Sequence, residues 1–566
     1  MAKDYTFEKR KYILGAIVVC IVLIYILRLA GLQIFSDKYK RYADSNAFLN
    51  KIQYPSRGAI YDRNGKLLVF NQPAYDITFI PREVTQLDTL DFCRSLGITR
   101  EQFLQRMEEV RNFRKNPGYS KYTPQVFMTQ LSAEECGVFQ EKLYKFPGFS
   151  IQRRTIRQYS YNSAGHVLGD IGEVSMRDIE KDDYYIRGDY IGKQGVERSY
   201  EKYLRGEKGV EILLRDAHGR IQGHYMDGQL DRPSVPGKNL KLGIDIDLQM
   251  LGERLMQNKI GAIVAIEPKT GEILCMVSTP TYDPYYKPTN IDSDTTGKYE
   301  AIYLNRFLSG VFTPGSTFKI VTSISALENI PDINSRIFTC TGQYKTSTGI
   351  VKCNSVHGKL NFQQALSKSC NSTFACIAEE LGNDALTKTA EQVGFNKRIT
   401  IDGISVTKSY FTLKDAVSVD RGWAGIGQYQ TLANPCQMLT MMGAIANGGS
   451  APAPKLLKSD STLSSLTSPT LKYLDENIAN TIKDMLRKNV TTHYGEGKFP
   501  GLQLGGKTGT AQVTDGEPHS WFVAFSERED LPLAVVVVVE HGGEGISAAA
   551  PIANKVMQAA AKKGVN

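Results

Sequence analysis

The sequence predicts an α+β protein carried on a membrane by one N-terminal helix. Three observations point there. A single uncharged apolar run stands near the start, and no second run of that length follows. From Leu240 onward, strand-like segments at both ends enclose a largely helical middle. Between the run and Leu240 lies a charge- and tyrosine-rich stretch of different texture, which reads as a separate domain. A chain of 566 residues is long enough for more than one domain, and 42% hydrophobic with 22% charged residues is ordinary for a folded protein. The net charge of +9 is spread over 68 basic and 59 acidic residues. No basic stripe carries interleaved aromatics, so nucleic acid is not an expected partner.

The apolar run is "KYILGAIVVCIVLIYILRLAGLQIF", Lys11 to Phe35, uncharged from Tyr12 to Leu27. Crossing hydrocarbon takes about 20 mostly apolar residues. Arg28 falls late, where its side chain can reach an interface. Lys3, Lys9, Arg10 and Lys11 precede the run and favour a cytoplasmic start; Lys38, Lys40 and Arg41 follow it and weaken that bias. The run is long for a cleaved signal peptide, and no small-x-small site follows it. The expectation is a cytoplasmic tail at 1–11, a retained anchor at 12–35 and a body outside the cytoplasm.

After the anchor, "SRGAIYDRNGKLLVFNQPAYDITFIP" places Asn64-Gly65 between two apolar stretches, a hairpin turn. Helical and irregular segments continue to Asp231, and Pro233 and Pro236 punctuate "LDRPSVPGKNLKL". This puts a domain boundary at 235/236, dividing 36–235 from 236–566. "GAIVAIEPKTGEILCMVST" reads as strand, turn, strand. Helices are expected after Pro314 through Glu328, within Leu381 to Phe395, from Gln437, and from Ala550 to Lys562. "SWFVAFSE" and "LPLAVVVVVE" read as late strands, and "APAPKLLKSDSTLSSLTSPT", Ala451 to Thr470, as a polar loop.

The chemistry is carried by "TPGSTFKIV", Thr313 to Val321. At i and i+3 on a helix, Ser316 and Lys319 face the same way. A serine becomes a nucleophile when a base takes its proton, and lysine serves as that base only when neutral. Pro314-Gly315 favours a helix start at the serine, whose N–H groups can stabilise an oxyanion. Two elements follow: "SCN", with Ser369 and Asn371 on a tight turn, and "KTGT", where Lys507 can supply a second cation. Gly509 allows close backbone approach, and Thr508 and Thr510 can grip a carboxylate. Other copies of these short patterns occur: Ser199 and Ser405 each precede a lysine by three, and "PKTGE" from Pro268 contains Lys-Thr-Gly in a hairpin turn.

Ser-x-x-Lys, Ser-x-Asn and Lys-Thr-Gly in this order resemble the penicillin-recognising serine acyl transferases. "RGAIYDRNGKLL", "GKQGVERSYEKYLRGEKG" and "GIGQ" extend the resemblance over nearly the whole chain to the class B penicillin-binding proteins. It implies a pedestal domain, then a transpeptidase domain with a central antiparallel sheet flanked by helices. It further implies that Ser316 attacks a peptidoglycan D-Ala–D-Ala carbonyl and Lys319 takes its proton. Ser369, held by Asn371 and the lysines, relays a proton to the leaving group. The N–H groups of Ser316 and Thr510 form the oxyanion hole, and Thr508 and Thr510 contact the terminal carboxylate. β-Lactams mimic the donor and acylate Ser316. No cofactor is needed for this chemistry.

Nine cysteines are too few for a disulfide scaffold in a chain this long. Cys340, Cys353, His357 and Cys370 cluster in sequence and match a Cys₃His zinc set. A Cys340–Cys353 disulfide and free thiols are the other readings. Elongation-type members resemble this region, and some carry a metal there; Cys370 would then tether the Ser369–Asn371 turn to it. Cys93, Cys136, Cys275, Cys376 and Cys436 read as buried free thiols, and His519 as a hairpin residue near the cleft rim. The resemblance implies cell elongation and a SEDS-family glycosyltransferase partner. A division-type transpeptidase, a β-lactamase and a catalytically quiet scaffold are the alternatives.

Overall fold

The structure is a computed structural model that describes residues 8–33, 48–112, 114, 116, 119–215, 221–283, 301–459 and 470–564. Parts of the expected tail (1–7), the expected anchor (34–35) and the expected polar loop (460–469) lie outside the described residues. Helix α1, Glu8–Gln33, contains the apolar stretch Tyr12–Ala30, with a mean hydropathy of 2.8 and no side chain buried within the protein. Among the described residues it is the one helix long and apolar enough to cross a membrane.

Strand β1, Phe48–Gln53, pairs antiparallel with β6, Gly209–Arg215, whose other edge carries β7, Ile221–His224. A second sheet is built on β3, Leu67–Phe79, flanked by β2 (Ile60–Tyr61), β4 (Gln125–Leu131) and β5 (Phe149–Tyr159). Its far end is filled by phenylalanine. The ring of Phe92 lies 4.6–5.4 Å from those of Phe103, Phe127, Phe139, Phe146 and Phe149. This makes a core of its own, remote from the catalytic chemistry.

The two long sequence signatures of this domain meet in space. Arg57 of "RGAIYDRNG" bonds Glu197 and Glu201 of "GKQGVERSYEKYLRGEKG", each at 2.6 Å, and Arg157 of β5 bonds Glu197 at 2.8 Å. Burial would push the Glu197 carboxyl up, but Arg57 and Arg157 outweigh it and hold it below the usual range. The Asn64-Gly65 turn forms as expected, with Asp62 accepting from the N–H groups of Asn64 and Lys66 at 2.8 Å and Gly65 at φ 81°. The turn is docked on the next domain: Asn64 reaches Asp245 at 3.0 Å and Lys66 reaches Asp247 at 2.7 Å. The segment Leu240–Lys241 runs parallel to β2 and hydrogen-bonds to it, so the chain crosses between domains as a paired strand.

The second domain is a three-layer sandwich. Its sheet joins β8 (Gly261–Ile266), β9 (Ile273–Thr279), β10 (Leu504–Ala511), β11 (His519–Ser526) and β12 (Ala534–Val539), all antiparallel, in the order β9-β8-β12-β11-β10. The early and late strands therefore share one sheet. The valine run of β12 is apolar throughout because both faces are buried. Val535 and Val537 meet α2 (Ile246–Leu255) and α7 (Ala549–Lys563), whereas Val536 and Val538 face the helical layer. That layer contains α3 (Lys319–Asn329), α4 (Asn371–Gln392) and α5 (Pro435–Ala446), with α6 (Glu476–Lys488) against them.

Three expectations need correction. The described start of the expected polar loop at Ala451 is not one: Ser450–Pro452 is a strand, and Leu456 and Leu457 are buried. The helix after Pro314 does not begin at the serine: Gly315–Thr317 is a 3-10 turn and the α-helix starts at Lys319. The helix assigned within Leu381 to Phe395 begins ten residues earlier, at Asn371, and is broken by Gly382 at φ 74°. That break disguised its first half, which begins at Asn371.

Candidate active site

Ser316 sits on the 3-10 turn, packed against the edge strand β10. Gly315 makes the approach possible. It has φ 53°, and a Cβ there would lie 2.9 Å from Thr510 O. Gly509 does the same from the strand side, where a Cβ would meet Pro314 O at 2.8 Å. The Gly315 N–H donates to Gly427 O at 2.9 Å, which gives "GIGQ" its place behind the serine turn. Trp521, fully buried on β11, donates from Nε1 to Thr313 O at 3.0 Å and ties the turn to the sheet.

The sequence-predicted groups meet around Lys319, which is 0% exposed. Its Nζ lies 2.7 Å from Ser369 O, 2.7 Å from Asn371 Oδ1, 3.0 Å from Ser369 Oγ and 3.1 Å from Ser316 Oγ. Two of these are carbonyl oxygens and can only accept. A neutral amine gives them its two N–H groups and turns its lone pair toward the hydroxyls. Burial, and secondarily the charge of Lys507, push the Lys319 amine well below its ordinary value. The sequence reading leaned on a second cation; desolvation is the larger cause.

Lys507 Nζ donates to Ser369 Oγ at 3.1 Å and to Thr508 O at 2.9 Å, and burial lowers its amine to about 7. Ser369 Oγ in turn donates to Ser316 Oγ at 2.8 Å. A hydrogen-bond chain therefore runs from Lys507 through Ser369 to Ser316. Ser369 is held at φ 54°, a left-handed conformation costing about 1–3 kcal/mol in a non-glycine residue. Cys370 fixes it from behind: its N–H bonds Ala365 O at 2.9 Å, and its Sγ caps α4 by accepting from Thr373 N.

Strand β10 is the sheet's edge, and its even-numbered residues turn their backbone groups away from β11. Arg487 bonds Leu504 O at 3.0 Å and Asn489 bonds Gly506 O at 3.2 Å; the Thr508 N–H donates to Tyr494 Oη at 3.1 Å. By the same alternation the Thr510 N–H points outward beside Ser316. Thr510 is exposed and Thr508 partly so, both on the groove. Arg487, Asn489 and Tyr494, which cover the rest of this edge, were not recognised in the sequence. They lie 13–20 residues before Lys507 and carry no spacing signature.

Cys340, Cys353, His357 and Cys370 also converge, their ligand atoms all within 4.8 Å of one another. His357 Nδ1 is 3.6 Å from both Cys340 Sγ and Cys353 Sγ, and Cys353 Sγ is 3.8 Å from Cys370 Sγ. Tetrahedral zinc with bonds of about 2.0–2.3 Å requires ligand separations of about 3.5–3.8 Å; these three separations match, and the donor set of three thiols and an imidazole fits the ion. His357 Nε2 bonds Ser355 Oγ at 2.9 Å, which leaves Nδ1 to face the thiols. The neighbouring Cys370 thiol is the largest influence on the Cys353 thiol and lowers it. All nine cysteines are free, including Cys340 and Cys353. Of the remaining five outside the anchor, Cys376 is only half-buried. His519 pairs with Ala511 at the β10–β11 hairpin, its ring 5.9 Å from Phe312 and 5.0 Å from His541. The stray lysine motifs stay outside this site: Ser199 ends a short pedestal helix, and Ser405 lies on a strand of the Ile399–Val406 hairpin.

Residues 261–558 match the penicillin binding protein transpeptidase domain, and residues 52–242 match the penicillin-binding protein dimerisation domain. The chain belongs to the class B penicillin-binding proteins. Among the relatives of this penicillin-binding protein is the peptidoglycan D,D-transpeptidase MrdA of Acinetobacter baumannii, 30% identical over 97% of this chain and 87% of that one. Escherichia coli MrdA is 27% identical over 96% of this chain and 93% of its own. The Bacillus subtilis stage V sporulation protein D is 28% identical over 98% and 86%. The solved complex between penicillin-binding protein PBP2 and MreC from Helicobacter pylori contains a chain of the same fold, with a TM-score of 0.79 and 23% identity, covering 92% of this chain and all of that one.

Proposed function

We propose that this protein is an elongation-type peptidoglycan D,D-transpeptidase working through an acyl-enzyme on Ser316. The carrying observation is the hydrogen-bonded set Ser316, Lys319, Ser369 and Lys507 on one groove. Neutral Lys319 takes the Ser316 proton as Oγ bonds to the penultimate D-Ala carbonyl carbon. Charge gathers on the carbonyl oxygen, facing the N–H groups of Ser316 and Thr510. The C–N bond then breaks, and Ser369 passes its proton to the departing D-Ala nitrogen while recovering one from the Lys319 ammonium. An amine of a neighbouring strand loses a proton to the same groups, attacks the ester and releases Ser316. Asn371 holds Lys319 in place. Lys507, Thr508 and Thr510 receive the donor's terminal carboxylate across Gly509. A β-lactam enters as the donor does and leaves Ser316 acylated.

In this reading α1 anchors a pedestal of residues 36–235 and a catalytic domain of residues 236–566 on the outer side of a bacterial cytoplasmic membrane. The MreC complex of the Helicobacter pylori protein supports contact with elongation-machinery proteins. A SEDS-family glycosyltransferase would supply the glycan strands. Cys340, Cys353, His357 and Cys370 would hold a structural zinc. The ion would supply a fixed anchor for Cys370, which keeps Ser369 and Asn371 in register and does not touch substrate. The test is depletion with complementation. Loss of the protein should give round cells, which wild type rescues and Ser316→Ala does not; filaments would assign it to division instead.

A further inference from the structure

Helix α6 continues into a π-helical turn, Asn489–Tyr494, and this segment lies along the free edge of β10. Its contacts advance in register. Arg487 takes the carbonyl of Leu504, Asn489 that of Gly506, and Tyr494 the N–H of Thr508. An uncovered strand edge is a row of unpaired groups that invites pairing. Here the cover stops at Thr508, and the next outward position, Thr510, is left open to the groove. Tyr494 is therefore the last post of the cover, one strand position before the open Thr510.

The phenol also contacts the Thr508 side chain, with Tyr494 Oη 3.1 Å from Thr508 Oγ1. Either hydroxyl could donate by geometry alone, and donor counting assigns the direction. Tyr494 Oη already accepts from the Thr508 N–H and has a single hydrogen of its own. Were Thr508 Oγ1 the donor as well, that hydrogen would have no partner among the described residues around this buried phenol, which is costly. The phenol therefore donates to Thr508 Oγ1. The threonine's own hydrogen is then excluded from the tyrosine side and turned to the groove, where a carboxylate can accept it. Burial raises the Tyr494 phenol, so it keeps the hydrogen this arrangement needs.

We propose that Tyr494 is a positioning residue for carboxylate recognition: it clamps Thr508 at both N–H and Oγ1, so that the threonine hydroxyl donates to the terminal carboxylate of the donor peptide or β-lactam. Tyr494 touches neither substrate nor the reacting atoms. The inference rests on the acyl-enzyme reading above and adds to it the residue that orders the carboxylate site.

The test uses the full-length protein in detergent and the second-order rate constant for acylation by benzylpenicillin and by its methyl ester, whose carboxylate is capped. Wild type, Tyr494→Phe, Thr508→Val and the double variant are compared, with melting temperatures for each. Tyr494→Phe should lower the constant for benzylpenicillin about five- to tenfold and leave that for the ester within twofold. The double variant should be no slower than Thr508→Val by more than about twofold, because both changes remove one interaction. Equal losses with acid and ester, multiplicative losses in the double variant, or an unchanged Tyr494→Phe would each overturn the proposal. A Tyr494→Phe protein that no longer melts cooperatively would assign the tyrosine to the fold and overturn it too. Failure of wild type to be acylated at all would remove the underlying reading, and the inference with it.

Discussion

Ser369 Oγ lies 2.8 Å from Ser316 Oγ and 3.0 Å from Lys319 Nζ, so one hydroxyl touches both the proposed nucleophile and its proposed base. Neither partner is near Ser369 in sequence. The contact exists because the 3-10 turn at Ser316 and the N-terminus of α4 are pressed together under the edge of β10. Proton movement in and out of the acyl-enzyme can then pass through a single relay.

The first prediction concerns the base. Lys319→Arg keeps a cation and hydrogen-bond donors but cannot give up its proton near neutral pH. Acylation by penicillin should fall by about 10²–10⁴, the usual worth of a general base. Stopped-flow or gel-based labelling rates measure it; a loss under tenfold would remove Lys319 from that role.

The pH profile should have two limbs. Burial disfavours the charged form of both lysines. Lys319 is therefore neutral over a range where a free lysine is not, and activity rises as pH passes its lowered value. Lys507 is lowered to about 7, so its cation is lost above neutrality and activity falls on that side. Two pH units above its pKa only about 1% of an amine stays protonated. Lys507→Arg should flatten the alkaline limb up to pH 9. A wild-type profile that keeps rising to pH 9 would contradict the assignment.

Glu197 tests the pedestal. Glu197→Gln leaves Arg57 and Arg157 without their shared carboxylate and should cost about 3–5 kcal/mol. The native carboxyl is held below its unfolded value, so its stabilisation is complete above the unfolded carboxylate range and fades as pH falls through the lowered one. Denaturant melts should show a wide gap between wild type and variant at pH 7 and a narrower gap at acid pH.

Metal analysis of the purified protein should return about one zinc per chain. The pair Cys353→Ser and His357→Ala should remove it, lower the melting temperature and slow penicillin labelling, because Cys370 caps the helix that carries Asn371. A metal-free protein with a Cys340–Cys353 disulfide would contradict the zinc reading.

Much of this was legible in the sequence because the catalytic groups sit in short motifs. Ser316 and Lys319 are three residues apart, Ser369 and Asn371 two apart, and Lys507 to Thr510 are contiguous. Local spacing therefore carries the chemistry. The Val535–Val539 run announced a strand, and Asn64-Gly65 announced a turn. What stayed hidden was set by tertiary contact. The start of α4 was masked because Gly382 interrupts it. The 3-10 turn at Ser316 is dictated by β10 pressing on Gly315, which no local propensity reports. Tyr494 and Asn489 are found only once the edge of β10 is known to need covering. The primacy of burial over Lys507 in neutralising Lys319 likewise depends on packing that spacing does not encode.

The most direct measurement is intact-mass and peptide mass spectrometry after brief exposure to benzylpenicillin. One adduct per chain is predicted, on the peptide containing Ser316, absent in Ser316→Ala and stable for many minutes. An adduct on another residue, labelling of Ser316→Ala, or release within seconds would contradict the account.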